Sequence, residues 1–81
     1  MKSNDYFDWF RIAVGRALVI KERFCVIRAG AVMDNTSLIE GSFGLVDILH
    51  DRGMHKIAHY LDDLTCELHE KAQEQLINNG A

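Results

Sequence analysis

The sequence predicts a mainly α-helical protein: one N-terminal helix, a short extended segment and then an antiparallel helical hairpin. Apolar residues recur every three or four positions along three stretches of the chain, as on one face of an α-helix. The longest of these stretches, Met54 to Asn78, contains no glycine or proline. The length of 81 residues fits a single small helical domain, residues 1–81, with a modest core.

The N-terminal helix is expected to begin with a cap at Ser3 or Asn4, because both side chains can accept a hydrogen bond from the first turn of a helix. We expect Phe10 and Val14 to pack in the core and the charged triplet at 21–23 to end the helix. The predicted apolar stripe consists of Phe7, Phe10, Val14, Ala17 and Leu18.

Residues 24–27, Phe-Cys-Val-Ile, form the predicted short extended segment, because aromatic and β-branched residues favour strands. Ala29 and Gly30 follow and end it. An extended loop is the alternative interpretation. A strand here has no obvious partner within the chain, so it would have to pair with a second copy.

The helical hairpin is predicted from signals at both ends of the second helix. Ser37 and Glu40 have the spacing of a capping box at its start. Asn35 or Thr36 are the alternative caps. Gly53 suits the left-handed position that ends a helix. Only a residue or two then precede the third helix, so we expect the two helices to fold back on each other.

Three small residues inside the second helix, Gly41, Ser42 and Gly44, are expected to mark a tight crossing of two helices. A glycine in a helix costs about 1 kcal/mol relative to alanine, and close approach of another backbone is the usual compensation. A merely weakened or kinked helix is the alternative.

The third helix should bury one long apolar face, formed by Met54, Ile57, Leu61, Leu64 and Leu68. Its last apolar residues overhang the shorter second helix. We therefore expect Ala72, Leu76 and Ile77 to meet the first helix or another subunit.

Charge is divided unevenly along the chain. Residues 1–28 carry six basic and three acidic side chains, whereas residues 34–81 carry three basic and nine acidic ones. Such asymmetry indicates either a polar interaction surface or complementary parts of one fold or of two paired chains. The apolar runs are far too short to span a membrane or to serve as a signal peptide, so we expect a cytoplasmic protein without membrane insertion.

Residues that could carry chemistry are few. Neither cysteine lies in a CxxC motif, no serine lies in a GxSxG turn, and the segment 41–44 lacks the lysine of a phosphate loop. We predict that the chain is not an enzyme and needs no cofactor.

Three histidines lie along one face of the third helix with Asp62 and Cys66. His55, His59 and Asp62 have the helical spacing of zinc ligands. The alternative is the polar face that any amphipathic helix presents to water. We favour that alternative and predict no metal, which leaves a metal-binding module on the His55/His59 helix as the third candidate function.

A nucleic-acid-binding regulator is the second candidate function. Its basic residues would be those of the N-terminal half, among them Arg11, Arg16, Arg23 and Arg28. The two best-defined helices are acidic, however, and would repel phosphate. We therefore do not favour nucleic acid as the partner.

The function that the sequence favours is a non-enzymatic, protein-binding module. We expect a small regulator or inhibitor that occupies a surface of a partner protein, and we expect it to form a homodimer because so small a core is often completed by pairing. In size and acidic balance the chain resembles small phage-encoded inhibitors of host proteins. The expected partner contacts are Tyr6, Trp9, Phe43, Asp62 and Glu70.

Overall fold

The computed structural model of the protein describes residues 5–80, with the side chains of residues 6–77. Three helices account for most of it: α1 (Asp5–Arg28), α2 (Thr36–Asp51) and α3 (His55–Gly80). The mainly α class is confirmed, and no strand occurs within residues 5–80. None of the described helices combines the length and the apolar character needed to cross a membrane. The predicted cap at Ser3 or Asn4 lies outside the described residues.

The first helix is longer than predicted. It continues through the charged triplet at 21–23 and through residues 24–27, so both the predicted break and the predicted strand are wrong. Phe24 and Ile27 fall on the same side of α1 as Ile20 and pack, half-buried, against the core. Burial on a helical face therefore outweighs the strand preference of these side chains, which depends strongly on context.

Two glycines with left-handed backbone separate the helices. Gly30 (φ +91°) follows α1, and Gly53 (φ +80°) follows α2, as predicted for Gly53. The Gly53 amide donates to the His50 carbonyl at 3.0 Å, and the Met54 amide donates to the Leu49 carbonyl at 2.9 Å. These bonds satisfy the last carbonyls of α2 and turn the chain directly into α3.

The face of α1 that enters the core agrees with the predicted one only at Ala17. Phe10 and Val14 remain 42% and 36% exposed, so their predicted burial is wrong. Ala13 and Ile20 are buried beside Ala17 instead. Apolar residues surround α1 on nearly every side, and the two small alanines allow the other helices to approach closely, whereas the bulky side chains point elsewhere.

The core lies between all three helices, and α3 contributes the face that its periodicity predicted. Met54, Ala58, Leu61 and Leu68 are buried, with Ile57 and Leu64 half-buried against them. From α2 the buried residues are Ile39, Ser42, Leu45, Val46 and Leu49.

Contacts at the two ends of the molecule define the helix directions. His50 at the end of α2 touches His55 at the start of α3, while Ile39 near the start of α2 and Leu76 near the end of α3 line one cavity. The end of α2 therefore lies beside the start of α3, and the start of α2 lies near the end of α3. Trp9 of α1 lies under the Arg52 guanidinium at 4.6 Å, so α1 begins where α2 ends. The three helices together form a bundle of 52 × 18 × 18 Å.

The small residues of α2 have a different role from the predicted helix crossing. A Cβ atom at Gly41 would lie 3.1 Å from Nη1 of Arg16, so this glycine makes room for a guanidinium and not for another backbone. That guanidinium donates to the hydroxyl of the buried Ser42 at 3.3 Å. Gly44 has no neighbouring atom within 4 Å of such a Cβ and so only weakens the helix.

The start of α2 agrees with Asn35, one of the two alternative caps, and not with the capping box. The helix begins at Thr36 with Asn35 at the N-cap position, so Ser37 lies inside the first turn and the predicted capping box is wrong. The side chain of Asn35 makes no capping bond. Asp34 supplies it, because its Oδ1 accepts from the Thr36 amide at 3.0 Å. This hydrogen bond from the backbone lowers the pKa of the Asp34 carboxyl from its ordinary value.

Candidate protein-binding surfaces

A groove lies where the connection between α1 and α2 meets the start of α2 and the end of α3. Its cavity volume is about 500 Å³. The connection is held in place because Nε2 of Gln75 donates to the Ala31 carbonyl at 2.6 Å. We call this surface the loop groove. Its apolar lining residues are Val32, Met33, Ile39, Phe43, Ala72 and Leu76.

The loop groove is lined by acidic side chains and by no basic ones of the lysine or arginine type. Asp34 and Glu40 are among the residues that line it, and no lysine or arginine is. Both carboxyl-bearing residues are exposed to solvent. Because the Thr36 amide lowers the pKa of Asp34, its carboxylate stays charged to a lower pH than that of an ordinary aspartate. The groove thus combines an apolar floor with fixed negative charge at its rim.

A second apolar surface covers the outward side of α1. Tyr6 and Phe10 stack with ring centroids 6.4 Å apart, and Phe7 meets the Tyr6 ring edge-on at 5.8 Å. Contiguous exposed apolar patches of this kind mark interaction sites on soluble proteins. We call this surface the α1 face. It consists of Tyr6 (56% exposed), Phe7 (62%), Phe10 (42%), Val14 (36%) and Leu18 (62%).

A third surface is the outward side of α3, which is acidic. Its exposed carboxyl-bearing residues step by four, three and four positions, which keeps them on one side of the helix. We call it the acidic strip. It consists of Asp63, Glu67, Glu70 and Glu74.

The five predicted partner contacts do not form one surface. Tyr6 belongs to the α1 face, Phe43 to the loop groove and Glu70 to the acidic strip. Trp9 is half-buried against the core beneath Arg52, so part of its ring area serves the fold. Asp62 is half-exposed, with its Oδ1 4.0 Å from the Cys66 sulfur.

The loop groove was not anticipated as a unit. Val32, Met33 and Leu76 are each exposed by 40% or more, and they come together only because residues 31–35 are not helical. The available signal was the overhanging apolar end of the third helix. The sequence predicted that overhang, and Leu76 and Ile77 remain 63% and 70% exposed without cover from α1.

The basic residues of α1 do not form a continuous stripe. Arg16 and Arg23 are half-buried and donate to Ser42 and Asn35 of the neighbouring helix segment. Lys21 places its ammonium 5.5 Å from the centre of the Tyr60 ring. Two of the four arginines considered for phosphate binding therefore connect parts of the fold, while Arg11 and Arg28 remain exposed.

Three histidines gather at the turn between α2 and α3. Nδ1 of His50 lies 2.8 Å from Nδ1 of His55, and the His59 ring meets the His50 ring edge-on at 5.0 Å. His50 was not part of the predicted set, because it lies on the preceding helix and reaches the others only through the tight turn. Within the described part of the chain, no group of three or more histidine, cysteine or acidic side chains has the arrangement of a metal site.

The thiol of Cys66 lies on α3 among carboxylates. The Cys66 side chain is exposed, but the little desolvation that its sulfur undergoes raises the pKa of this thiol, and the negative charges of Asp62, Asp63 and Glu70 raise it further. A raised pKa leaves less thiolate at neutral pH, which disfavours nucleophilic chemistry at this residue.

The geometry thus offers two apolar surfaces and one acidic one. No protein-family model matches this chain, and neither a curated protein nor a solved structure resembles it at a significant level.

Proposed function

We propose that this chain is a non-enzymatic, protein-binding module of the cytoplasm, a small regulator or inhibitor that acts by occupying a surface of a partner protein. The α2–α3 helical hairpin supplies the main binding site in this proposal. The observation that carries it is the loop groove, whose floor is apolar and whose lining includes the acidic Asp34 and Glu40 but no lysine or arginine.

The proposed occupant of the loop groove is an amphipathic helical segment of the partner, with apolar anchors flanked by lysine or arginine. A groove with an apolar floor takes the apolar face of such a helix. Its cavity of about 500 Å³ lies within the ~300–1,000 Å³ range of pockets that bind ligands and has room for several apolar anchors of such a segment. Negative charge at the rim favours a basic segment over an acidic one and speeds its encounter with the groove.

A peptide titration tests this occupant. We use a synthetic amphipathic helix of leucine and lysine and its leucine–glutamate counterpart, and we follow backbone amide signals by NMR. The leucine–lysine peptide is expected to shift the signals of Val32, Met33, Phe43 and Leu76. The leucine–glutamate peptide is expected to leave them in place, because its charges meet those of Asp34 and Glu40.

Two variants locate the binding energy. Glu40→Lys reverses one charge of the rim and should weaken binding of the leucine–lysine peptide at least several-fold. Asp63→Lys makes the same change on the acidic strip, outside the groove lining, and serves as the matched control. Leu76→Ser should weaken binding through lost apolar contact, and its side chain is exposed enough that folding is not at risk.

Two results contradict the proposal. One is the absence of any shift at the loop groove with either peptide. The other is equal binding of both peptides, or equal losses for Glu40→Lys and Asp63→Lys, because non-specific attraction to an acidic protein would then explain the data.

A further inference from the structure

The α1 face is a large apolar surface that the packing of the three helices leaves exposed to solvent. Its three aromatic side chains alone leave about 300 Å² uncovered, taking ~200 Å² for each aromatic side chain and their exposed fractions of 42–62%. Val14 and Leu18 add to it, so the patch reaches the upper part of the ~300–600 Å² range of the largest patches on monomeric proteins.

That area matches the requirement of a dimer. A stable interface buries about 800 Å² on each partner, and about 65% of a homodimer interface is apolar. The α1 face can supply most of this apolar share. Its five defining side chains are uncharged and the exposed Arg11 lies at its edge, so the apolar side chains can meet those of an identical copy across a two-fold axis.

We propose that the α1 face binds a second copy of this chain, with the two α1 helices antiparallel. Phe10 then lies against Val14 of the second copy, and Phe7 against Leu18 of the second copy. This register overlaps the whole apolar segment with itself. The proposal goes beyond the partner-binding function, because the loop groove lies on other helices and stays open in such a dimer.

The position of Lys21 favours the antiparallel arrangement. Lys21 lies on the same side of α1 as the α1 face, one turn beyond Leu18. A parallel pair would place the two Lys21 side chains, whose ammonium groups lie over the Tyr60 rings, beside the seam, where like charges repel. In the antiparallel pair each Lys21 lies past the end of the apolar overlap. The opposed helix dipoles add a small favourable contribution.

A head-to-tail contact is the competing arrangement, with the basic α1 helix of one copy on the acidic strip of the next. It would bring basic side chains of α1 close to the carboxylates of the acidic strip, but it would also press Phe7, Phe10 and Leu18 against those carboxylates. It would also leave a free surface at each end, so such contacts grow into chains instead of closing. The two-fold pair covers the α1 face completely and closes.

The first test is the mass of the full chain by sedimentation equilibrium across the micromolar range. We expect a dimer for the unaltered chain and a monomer for Leu18→Arg, which introduces a charge at the seam. Val19→Arg is the matched control, because this adjacent exposed residue points about 100° away on the helix. It should remain dimeric, and circular dichroism should show that both variants keep their helices.

The second test measures the direction of the helices. A spin label is attached to Cys25 in a Cys66→Ser background, and the distance between the two labels of a dimer is measured by electron paramagnetic resonance. The antiparallel register separates the two labelled positions by about 37 Å along the helix axis at 1.5 Å per residue. A parallel pair would bring them within about 20 Å, allowing for a helix separation of 8–10 Å and the label arms.

Each result decides the proposal. The proposal is overturned if the mass is monomeric throughout the range or grows beyond that of a dimer with concentration. It is also overturned if the dimer survives Leu18→Arg, or if the labels at Cys25 lie close together. Failure of the peptide titration at the loop groove would leave it standing, since Glu40→Lys and Leu18→Arg probe different surfaces.

Discussion

Arg23 and Asn35 join the last turns of α1 to the start of α2. Nη1 of Arg23 donates to Oδ1 of Asn35 at 2.7 Å, and Nδ2 of Asn35 donates to the Met33 carbonyl at 3.4 Å. Asn35 is only 3% exposed. Its amide oxygen is therefore used between helices and is not available for the cap that this residue type often provides.

Arg23→Ala should lower the free energy of unfolding by about 1.5–3 kcal/mol, because it removes a charged donor and leaves a buried acceptor unpaired. Urea unfolding followed by circular dichroism measures it. The double variant with Asn35→Ala should cost less than the two single changes added together, since both remove the same bond. Arg11→Ala, whose side chain is 79% exposed, should stay within about 0.5 kcal/mol. Strict additivity of the first two changes would contradict this account.

Gly44→Ala should raise the free energy of unfolding by about 0.5–1 kcal/mol, because alanine favours the helix and the added Cβ meets no atom within 4 Å. Gly41→Ala gains the same helix preference but places its Cβ 3.1 Å from Nη1 of Arg16. The guanidinium must then move away from Ser42, so the gain should be smaller or absent. Thermal and urea unfolding of the two variants compare them, and an equal gain at both positions would show that the Arg16 contact is unimportant.

Cys66 should react slowly with iodoacetamide at neutral pH. Slight desolvation of this exposed thiol and the neighbouring carboxylates raise its pKa, so the fraction of reactive thiolate falls and the rate rises only at higher pH than for an ordinary cysteine. The rate is measured against pH in a Cys25→Ser background. Asp62→Asn should move the profile to lower pH, whereas Glu74→Gln should not. A profile that Asp62→Asn leaves unchanged would show that its charge is not felt at the thiol.

Replacing both His55 and His59 by glutamine should change the free energy of unfolding by no more than about 0.5 kcal/mol, because both side chains are exposed. We also expect no stoichiometric zinc in protein purified without added metal, measured by native mass spectrometry. Zinc that is present at one equivalent and lost in this double variant would instead support a metal-binding module at the turn between α2 and α3.

Duplex DNA and RNA should show no mobility shift with this chain at physiological salt. The net charge is −3, and Arg16 and Arg23 donate hydrogen bonds within the fold. The informative substitutions are thus Arg11→Ala and Arg28→Ala, because both residues are exposed. A salt-sensitive shift that these two changes abolish would show that α1 binds phosphate, since release of counterions makes such binding fall steeply with salt.

Much of the local structure follows from the sequence by itself. The period of the stretch from Met54 identifies both the third helix and its buried face, because one side of that helix is apolar and the other is charged. Gly53 marks the turn before it, since glycine adopts the left-handed backbone at little cost. At Gly53 the residue type is enough to predict the local structure, and in the third helix the apolar period is enough to predict the buried face.

Other features were decided only when the helices packed together. α1 is apolar on nearly every side, so its sequence is compatible with several buried faces. The approach of α2 and α3 onto Ala13 and Ala17 selects one of them and leaves Phe10 and Leu18 outside. The same packing keeps residues 24–27 helical, and the tight turn brings His50 to His55. These choices depend on contacts between residues distant in the chain, and neither periodicity nor local propensity contains that information.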